Sequence, residues 1–495
     1  MRVSELISMD IMREWKDGDI ISITAGTGMG KSYWCRNQLY TLAKSENKKI
    51  LMLVNRNRIK SQFHMELEEC NKLDDTITLV TYQKIEHTIL RRDKELDLSE
   101  FDYIVCDECH YFFIDADFNN FTDLSLSEIL KTKAVKIFMS ATSKTMLEYL
   151  GGVTKKEIQS FNLIKESGIE TLCFYNKNDS LFHLAKGLIE SNSKAIFFIG
   201  SAEKAYDLYE MYKDNATFCC GKSSKYYQYV DQETIDTMLK EERFNTNLLI
   251  TTTALDCGIT IKDKDMKFIF LNGIFDIETI IQCIGRKRII DNTDKPMVYI
   301  NQFSNEQIGG MKSKINQKIE KALYFKEHGL VEYLLEYPRQ YDNEMIIYDI
   351  PSENKSRCEK KLNELMLLKR QKKILAIDTM LLYKKNGFAR YVSKELGFEC
   401  NYYILEEENV KTQLEYYLEQ HHGEIMLTPK DRKELIEKIH VTDDRGRLLK
   451  SITALNACLE EINSEFRIVT LPKITKTIEG KKKQFKTPWQ LRKLT

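Results

Sequence analysis

The sequence predicts an α/β protein of two tandem parallel-sheet domains followed by a mainly α-helical C-terminal region. Three observations predict it. From residue 20 to about residue 300, short β-branched runs alternate with longer amphipathic segments, the pattern of a parallel sheet covered on both faces. That pattern runs through twice, with Gly151-Gly152 between the blocks. Beyond about Asn305 helical spacing takes over. A chain of 495 residues exceeds one core, and the readings divide into 1–152, 153–305, 306–472 and a basic tail at 473–495.

In the first block strands are expected at 20–24, 50–54, 78–80, 103–106 and 135–139, with helices at 32–44 and 59–73. The second block offers strands at 195–199, 218–220, 248–251, 268–271 and 298–300, with helices at 202–212 and 279–284. The third region contains "MKSKINQKIEKALYFKEHGLVEYLLEY" and the basic-aromatic stretch "YKKNGFARYVSKELGF", which either packs as an accessory helix or contacts bases and phosphates. The final "LPKITKTIEGKKKQFKTPWQLRKLT" has a large basic excess and reads as a surface tail able to hold phosphates.

Lysine plus arginine number 74, and so do aspartate plus glutamate, so no global field attracts an anion. Any contact with nucleic acid rests on local basic patches. Of the 12 cysteines, Cys106 and Cys109 make a C-x-x-C that no second pair answers, which argues against a zinc site and favours reduced thiols in the cytoplasm. The charged N-terminus lacks the apolar core of a signal peptide, and no run is long and apolar enough for a membrane span.

The stretch Ala25-Gly26-Thr27-Gly28-Met29-Gly30-Lys31-Ser32 lies between an expected strand and an expected helix. Alanine stands where the usual phosphate-loop pattern has glycine, but the physics survives. Gly28 and Gly30 let backbone N–H groups turn into the bend, and the helix start adds its positive end. Lys31 is placed to reach the β- and γ-phosphates of ATP, and Ser32 to offer a hydroxyl to Mg²⁺. A metal carboxylate is then needed on a neighbouring strand. "FDYIVCDECHYFF" supplies Asp107 as the Mg²⁺ ligand and Glu108 to orient or deprotonate the attacking water. His110 either touches the γ-phosphate side, links to the second domain or is structural. Trp15 is an aromatic candidate for the adenine base, or a core residue.

These residues resemble the superfamily 2 helicases and translocases of the DExH type, near the restriction-type ResIII branch, over residues 18–288. Asp107-Glu108-Cys109-His110 is similar to the DExH box, Ser140-Ala141-Thr142 to motif III, Arg56 through Gln62 to motif Ia and Thr81-Tyr82-Gln83 to motif Ib. Phe198-Ile199-Gly200-Ser201 resembles motif IV, Thr252 through Ile259 motif V, and Gln282 through Arg288 motif VI. The sequence departs from the family at Cys257 and Thr260 in motif V, and at Cys283 and Ile289 in motif VI.

The resemblance implies two RecA-like P-loop NTPase domains with ATP between them. Arg286 takes the arginine-finger position, with Gln282 beside it and Arg288 as a further nucleotide contact. Arg56, Arg58, Thr81, Ser201, Thr252 and Gly258 become the candidates for gripping a strand. The expected activity is ATP-dependent translocation on, or unwinding of, nucleic acid, with DNA favoured over RNA. A nucleic-acid-stimulated ATPase switch that clamps without unwinding is the alternative. The C-terminal helical region is a candidate surface for a protein partner.

Overall fold

The computed structural model describes residues 2–494 apart from 27, 73, 92–95, 115–118, 120, 155, 164–167, 254–259, 292, 339–345, 352–357, 400, 443–446 and 479–480. The chain divides into two compact units, Met1–Tyr402 and Tyr403–Thr495.

The first unit contains two parallel sheets. One is built from β1 (Ile20–Ala25), β2 (Ile50–Val54), β3 (Ile77–Thr81), β4 (Tyr103–Cys106), β5 (Val135–Ser140) and β6 (Ile158–Leu163), in the order β3-β2-β4-β5-β1-β6. Side chains alternate between two cores. Ile21, Ile23, Met52, Val105 and Ile137 enter one, while Ile20, Leu51, Leu53, Ile104 and Phe138 enter the other. Both faces are therefore covered, and register is strongly specified, because a one-residue slip would exchange the two sets. Each fully buried aliphatic side chain contributes about 1.5–3 kcal/mol.

The second sheet contains β7 (Thr171–Tyr175), β8 (Lys194–Ile199), β9 (Ala216–Cys219), β10 (Leu248–Thr252), β11 (Met266–Asn272) and β12 (Met297–Asn301), in the order β7-β12-β11-β8-β10-β9, again parallel. Phe197 and Phe270 stack across neighbouring strands with ring centroids 4.4 Å apart. The two parallel sheets form tandem α/β lobes, as the sequence predicts.

Every strand expected from the sequence is present, with ends that differ by one or two residues. β6 and β7 were not expected. β6 is an edge strand, half exposed, and its polar residues hide the alternation. The Gly151-Gly152 pair does not break the chain: it lies inside the helix Lys144–Thr154, and β6 joins the first sheet after it.

Three helices follow, Asn305–Glu336, Glu364–Leu382 and Gly387–Glu395, with a hairpin of β13 (Ile347–Pro351) and β14 (Cys358–Leu362). The basic-aromatic stretch is core in part, since Phe388 is fully buried against Phe174, Phe275 and Phe303.

The lobes meet at Thr145, whose hydroxyl donates to Glu278 Oε1 at 3.0 Å. Burial, and then Asp276, push the Glu278 carboxyl up to about 7, against the pull of Thr145, Lys369 and Lys372. A raised carboxyl favours the protonated form in the folded state. Its contribution is complete at pH below the ordinary value near 4.5 and is lost as pH rises through 7. Glu278→Gln is expected to stabilise the protein at pH 8 by about 1–2 kcal/mol relative to the parent, with little change at pH 5, after allowance for partial solvent screening. Urea unfolding at the two pH values checks this.

The second unit opens on the two-residue strand Tyr403–Ile404 and continues through the helix Leu405–His421, strand Ile425–Met426, helices Lys433–Ile439 and Ile452–Glu461, and strands Phe466–Thr470 and Trp489–Lys493. The last strand pairs antiparallel with Ile425–Met426 and Phe466–Thr470 and so takes the middle of their sheet. Between them, Ile474–Ile478 and Lys481–Phe485 form a two-stranded ribbon. The stretch read as a basic tail is thus β structure. Trp489 and Leu491 alternate into a core with Leu455, Leu459 and Phe466, a period that the lysine run obscures in the sequence.

Among the described residues no helix is long and apolar enough to cross a membrane.

Candidate active site

The phosphate-loop candidate leaves the C-terminal end of β1. Gly28 and Gly30 have φ of +84° and +86°, which L side chains rarely adopt, so the bend requires glycine at both. Gly30 leads directly into the helix Lys31–Trp34, with Ser32 in its first turn. Lys31 is buried, and its ammonium donates to the Ala25 carbonyl at 2.8 Å. Gly26 and Met29 are joined across the bend, the Met29 N–H donating to the Gly26 carbonyl at 3.3 Å. The Val3 N–H in turn donates to the Met29 carbonyl at 3.0 Å, so the N-terminal segment braces the loop. Thr27 lies outside the described residues.

β5 separates β1 from β4, and the acidic turn leaves the end of β4 on the same edge of the sheet. Asp107 donates its N–H to Leu53 O at 3.0 Å, and Cys109 donates to Met139 O at 2.9 Å. Between these two anchors Glu108 sits at φ +48°, a left-handed conformation that costs a non-glycine residue about 1–2 kcal/mol. Its N–H donates to Asp107 Oδ1 at 3.0 Å. Burial, and then the neighbouring Glu108, push the Asp107 carboxyl up to about 7. Burial acts on Glu108 in the same sense, but Lys31, His110, Arg286 and Arg288 outweigh it and hold this carboxyl below its ordinary value.

His110 is buried, with Nδ1 3.0 Å from the Ser140 hydroxyl and 3.3 Å from Glu108 Oε2. Burial lowers it to about 4, with Arg286 and Lys31 adding to the shift and Glu108 opposing it. At neutral pH this is an uncharged imidazole joining the acidic turn to the end of β5.

The opposite wall comes from the second lobe. Gln282 is on the helix Ile277–Ile284. The chain then turns and makes a single parallel bridge at Lys287 beside Ile261, which donates to Arg286 O at 2.8 Å and accepts from the Arg288 N–H at 2.8 Å. Lys287 turns inward onto Asp294 at 2.7 Å, so the two flanking arginines share the other face. A Cβ placed on Gly28 would lie 2.9 Å from Arg288 Nη1, which puts that guanidinium directly on the loop. Burial, and then Arg286, lower the Arg288 pKa, with Glu108 opposing. Gln282 Nε2, Arg286 Nε and Arg288 Nη1 are buried with no hydrogen-bond partner among the described residues. Buried donors of this kind are costly unless a ligand completes them.

Of the candidates for gripping a strand, Arg56 and Thr81 come together. They line a cavity of about 400 Å³ with Asn55, Gln83, Lys84 and His87, at the ends of β2 and β3. Ser201 caps the helix Ala202–Tyr212 and Thr252 ends β10, both on the second sheet and neither in that cavity's lining. The Arg58 side chain and Gly258 lie outside the described residues. Trp15 is a core residue, packed against Trp34 at 6.3 Å.

The sequence reading did not single out Tyr82. It is fully buried, stacks on Tyr111 at 4.4 Å and donates its hydroxyl to the Asp107 carbonyl at 2.8 Å. Thr81 and Gln83 on either side of it line the cavity, so this hydroxyl ties the cavity to the acidic turn. Tyr82→Phe is expected to cost about 1–2 kcal/mol in urea unfolding, by stranding a buried carbonyl. Ser143, also passed over, lies within hydrogen-bond distance of Thr24 at the end of β1.

Residues 4–145 match the family model described as the type III restriction enzyme, res subunit. The match covers most of the first lobe and leaves the second outside it. No curated protein matches the chain. Among solved structures, similarity extends to Dbp5 of S. cerevisiae bound to RNA and ADP BeF3, at 17% identity and TM-score 0.44 over 60% of this chain and 82% of that one. The Escherichia coli DEAH/RHA helicase HrpB is similar at 14% identity and TM-score 0.40, over 60% of this chain and 42% of that one. The Mycobacterium smegmatis helicase Lhr bound to ssDNA and AMP-PNP is similar at 13% identity and TM-score 0.37, over 61% and 42%. The matched ResIII residues end in the helix after β5, so both the glycine bend and the acidic turn lie inside them.

Proposed function

We propose that this chain is an ATP-dependent helicase or translocase that hydrolyses ATP between its two lobes to move on or unwind DNA or RNA. The observation that carries the reading is the convergence of Lys31 and the Asp107-Glu108 turn from one lobe with Arg286 and Arg288 from the other. Three buried donors on the second wall that have no partner among the described residues, Gln282 Nε2, Arg286 Nε and Arg288 Nη1, suit a polyanionic ligand. The first wall suits a metal–nucleotide complex. Burial, and then the adjacent Glu108, push the Asp107 carboxyl up to about 7, and a cation bound beside it would offset both. Among the described residues no group of three or more histidines, cysteines or carboxylates can hold a metal alone, so Ser32 and Asp107 fit Mg²⁺ that shares its ligands with phosphate oxygens. Bound there, Mg²⁺ neutralises charge on the phosphates.

The protein's own groups divide the remaining work. The loop N–H groups and the helix start cradle the phosphates, and Lys31 exchanges the Ala25 carbonyl for them. Glu108, ionised and oriented by neutral His110, accepts a proton from the attacking water. Arg286 and Arg288 stabilise the charge that develops on the transferred group. Once the γ-phosphate leaves, the bridge between the walls is lost and the lobes part. A strand held at Arg56 and Thr81 on one lobe, and at Ser201 and Thr252 on the other, then moves relative to one of them. The Tyr82 hydroxyl carries the state of the Arg56 cavity to the acidic turn. Nine described cysteines stand outside any disulfide among the described residues, which fits a reducing compartment such as the cytoplasm.

ATP turnover measured alone, with single-stranded DNA and with single-stranded RNA tests the reading, beside a strand-displacement assay on both duplex types. Stimulation with displacement supports a motor, and stimulation without displacement supports a clamp. No stimulation by either nucleic acid removes both.

A further inference from the structure

We infer that the unit Tyr403–Thr495 is a winged-helix module that grips duplex DNA, with the helix Ile452–Glu461 in the major groove and the lysine ribbon on the flanking backbone. The inference builds on the nucleic-acid reading above but uses a different site.

The topology comes first. Helix, short strand, two helices, strand, ribbon and strand follow in that order, and the final strand lies in the middle of a three-stranded antiparallel sheet. Leu435, Ile436 and Ile439 of one helix share a core with Leu455 and Leu459 of the next, which fixes these two as a packed pair. In such a pair the second helix is the one that enters a major groove, N-terminal residues foremost. Here Ser451 caps that helix, accepting the Ala454 N–H at 3.2 Å. Ser451, Thr453 and Ala457 are exposed, small side chains that allow close approach to base edges. The acidic residues of this helix, Glu460 and Glu461, are at its far end, away from the approaching phosphates.

The ribbon supplies the second, independent observation. Lys476 pairs directly opposite Lys483, and Thr477 opposite Lys482. Like charges facing across a strand pair destabilise the free protein. Lys473, Lys476, Lys481, Lys482, Lys483 and Lys486 are all exposed, so no core requirement explains them. Among the described residues none of them forms an ion pair, whereas Lys493 in the sheet is held by Glu419 at 2.9 Å. A line of phosphates relieves that repulsion. The ribbon's base is held firmly: the Arg432 guanidinium lies over the Trp489 ring at 4.3 Å and donates to the Thr487 carbonyl. A-form RNA has a deep, narrow major groove that a helix does not enter, so the duplex is DNA.

The experiment is fluorescence anisotropy on the full chain without nucleotide, using a labelled DNA duplex, its single strand, and an RNA duplex of the same sequence across a salt series. The combined Lys481→Ala, Lys482→Ala, Lys483→Ala variant is expected to weaken DNA-duplex binding at least about tenfold and to flatten the log–log salt slope by about 2–3. Thr453→Glu is expected to weaken duplex binding similarly through the helix, and the combined Lys481→Arg, Lys482→Arg, Lys483→Arg variant to keep the parent's affinity. Unchanged duplex affinity in both variants overturns the proposal. So does an equal loss on the single strand, or an RNA duplex bound as tightly as DNA. Turnover stimulated by single strands is read separately: its absence, with ribbon-dependent duplex binding intact, removes the motor reading and leaves this one standing.

Discussion

Arg286→Ala is expected to lower nucleic-acid-stimulated ATP turnover by about 10³–10⁵-fold, the range found where an arginine is supplied across a cleft to a phosphoryl transfer. The geometry explains the size. Arg286 approaches from the second lobe, its Nε is buried with no partner among the described residues, and its charge is felt at both Glu108 and His110. Few other groups can replace a donor already desolvated and aimed. Lysine is not a substitute, because a point charge cannot offer the planar fork, so Arg286→Lys is expected to recover little. Steady-state turnover at saturating ATP, beside equilibrium binding of a fluorescent nucleotide, gives the decisive comparison. A large fall in turnover with affinity changed only modestly fits a transition-state role. Turnover within about threefold of the parent would show that the second wall takes no part.

Glu108→Gln carries the other large effect, about 10²–10⁴-fold in turnover. The amide keeps the shape of the side chain and loses the base. Its stability at neutral pH is expected to change little or fall slightly, because the amide relieves the burial of a charge but forfeits the attraction of Lys31, His110, Arg286 and Arg288, and the φ of +48° is retained in either form. Urea unfolding of the variant therefore serves as the control. Lost turnover with unchanged stability separates chemistry from folding, whereas lost stability with near-normal turnover would sink the assignment.

Much of this site was legible before any coordinates. The glycine bend and the acidic turn are local: a few consecutive residues between a strand and a helix carry the whole signal, and the structure places both at the same sheet edge. Arg286 and Arg288 were legible as a motif, but their meeting with Gly28 is a tertiary fact. Tyr82 shows the limit. Nothing in Thr81-Tyr82-Gln83 says that a tyrosine hydroxyl will find the Asp107 carbonyl, since its partner lies 25 residues away in the turn after β4. β6 and the strands of the second unit escaped for a different reason. Edge strands and exposed ribbons are partly polar, so hydrophobic alternation, the main sequence signal, is weak where solvent covers both faces. The lysines at 481–483 look like a solvated tail until Trp489 and Leu491 are seen to anchor the strand that follows.

The strand order of the first sheet has a bearing on how the protein is made. β1 is the earliest strand to leave the ribosome, yet both of its neighbours, β5 and β6, are synthesised last. Until residue 140 has emerged β1 has neither edge satisfied, and until residue 163 has emerged one edge stays open, so a greasy ribbon of Ile20, Ile21 and Ile23 waits unpaired while more than a hundred residues are added. Such late closure slows maturation and exposes the nascent chain to misassembly, which makes early capture by a chaperone the natural companion of this topology.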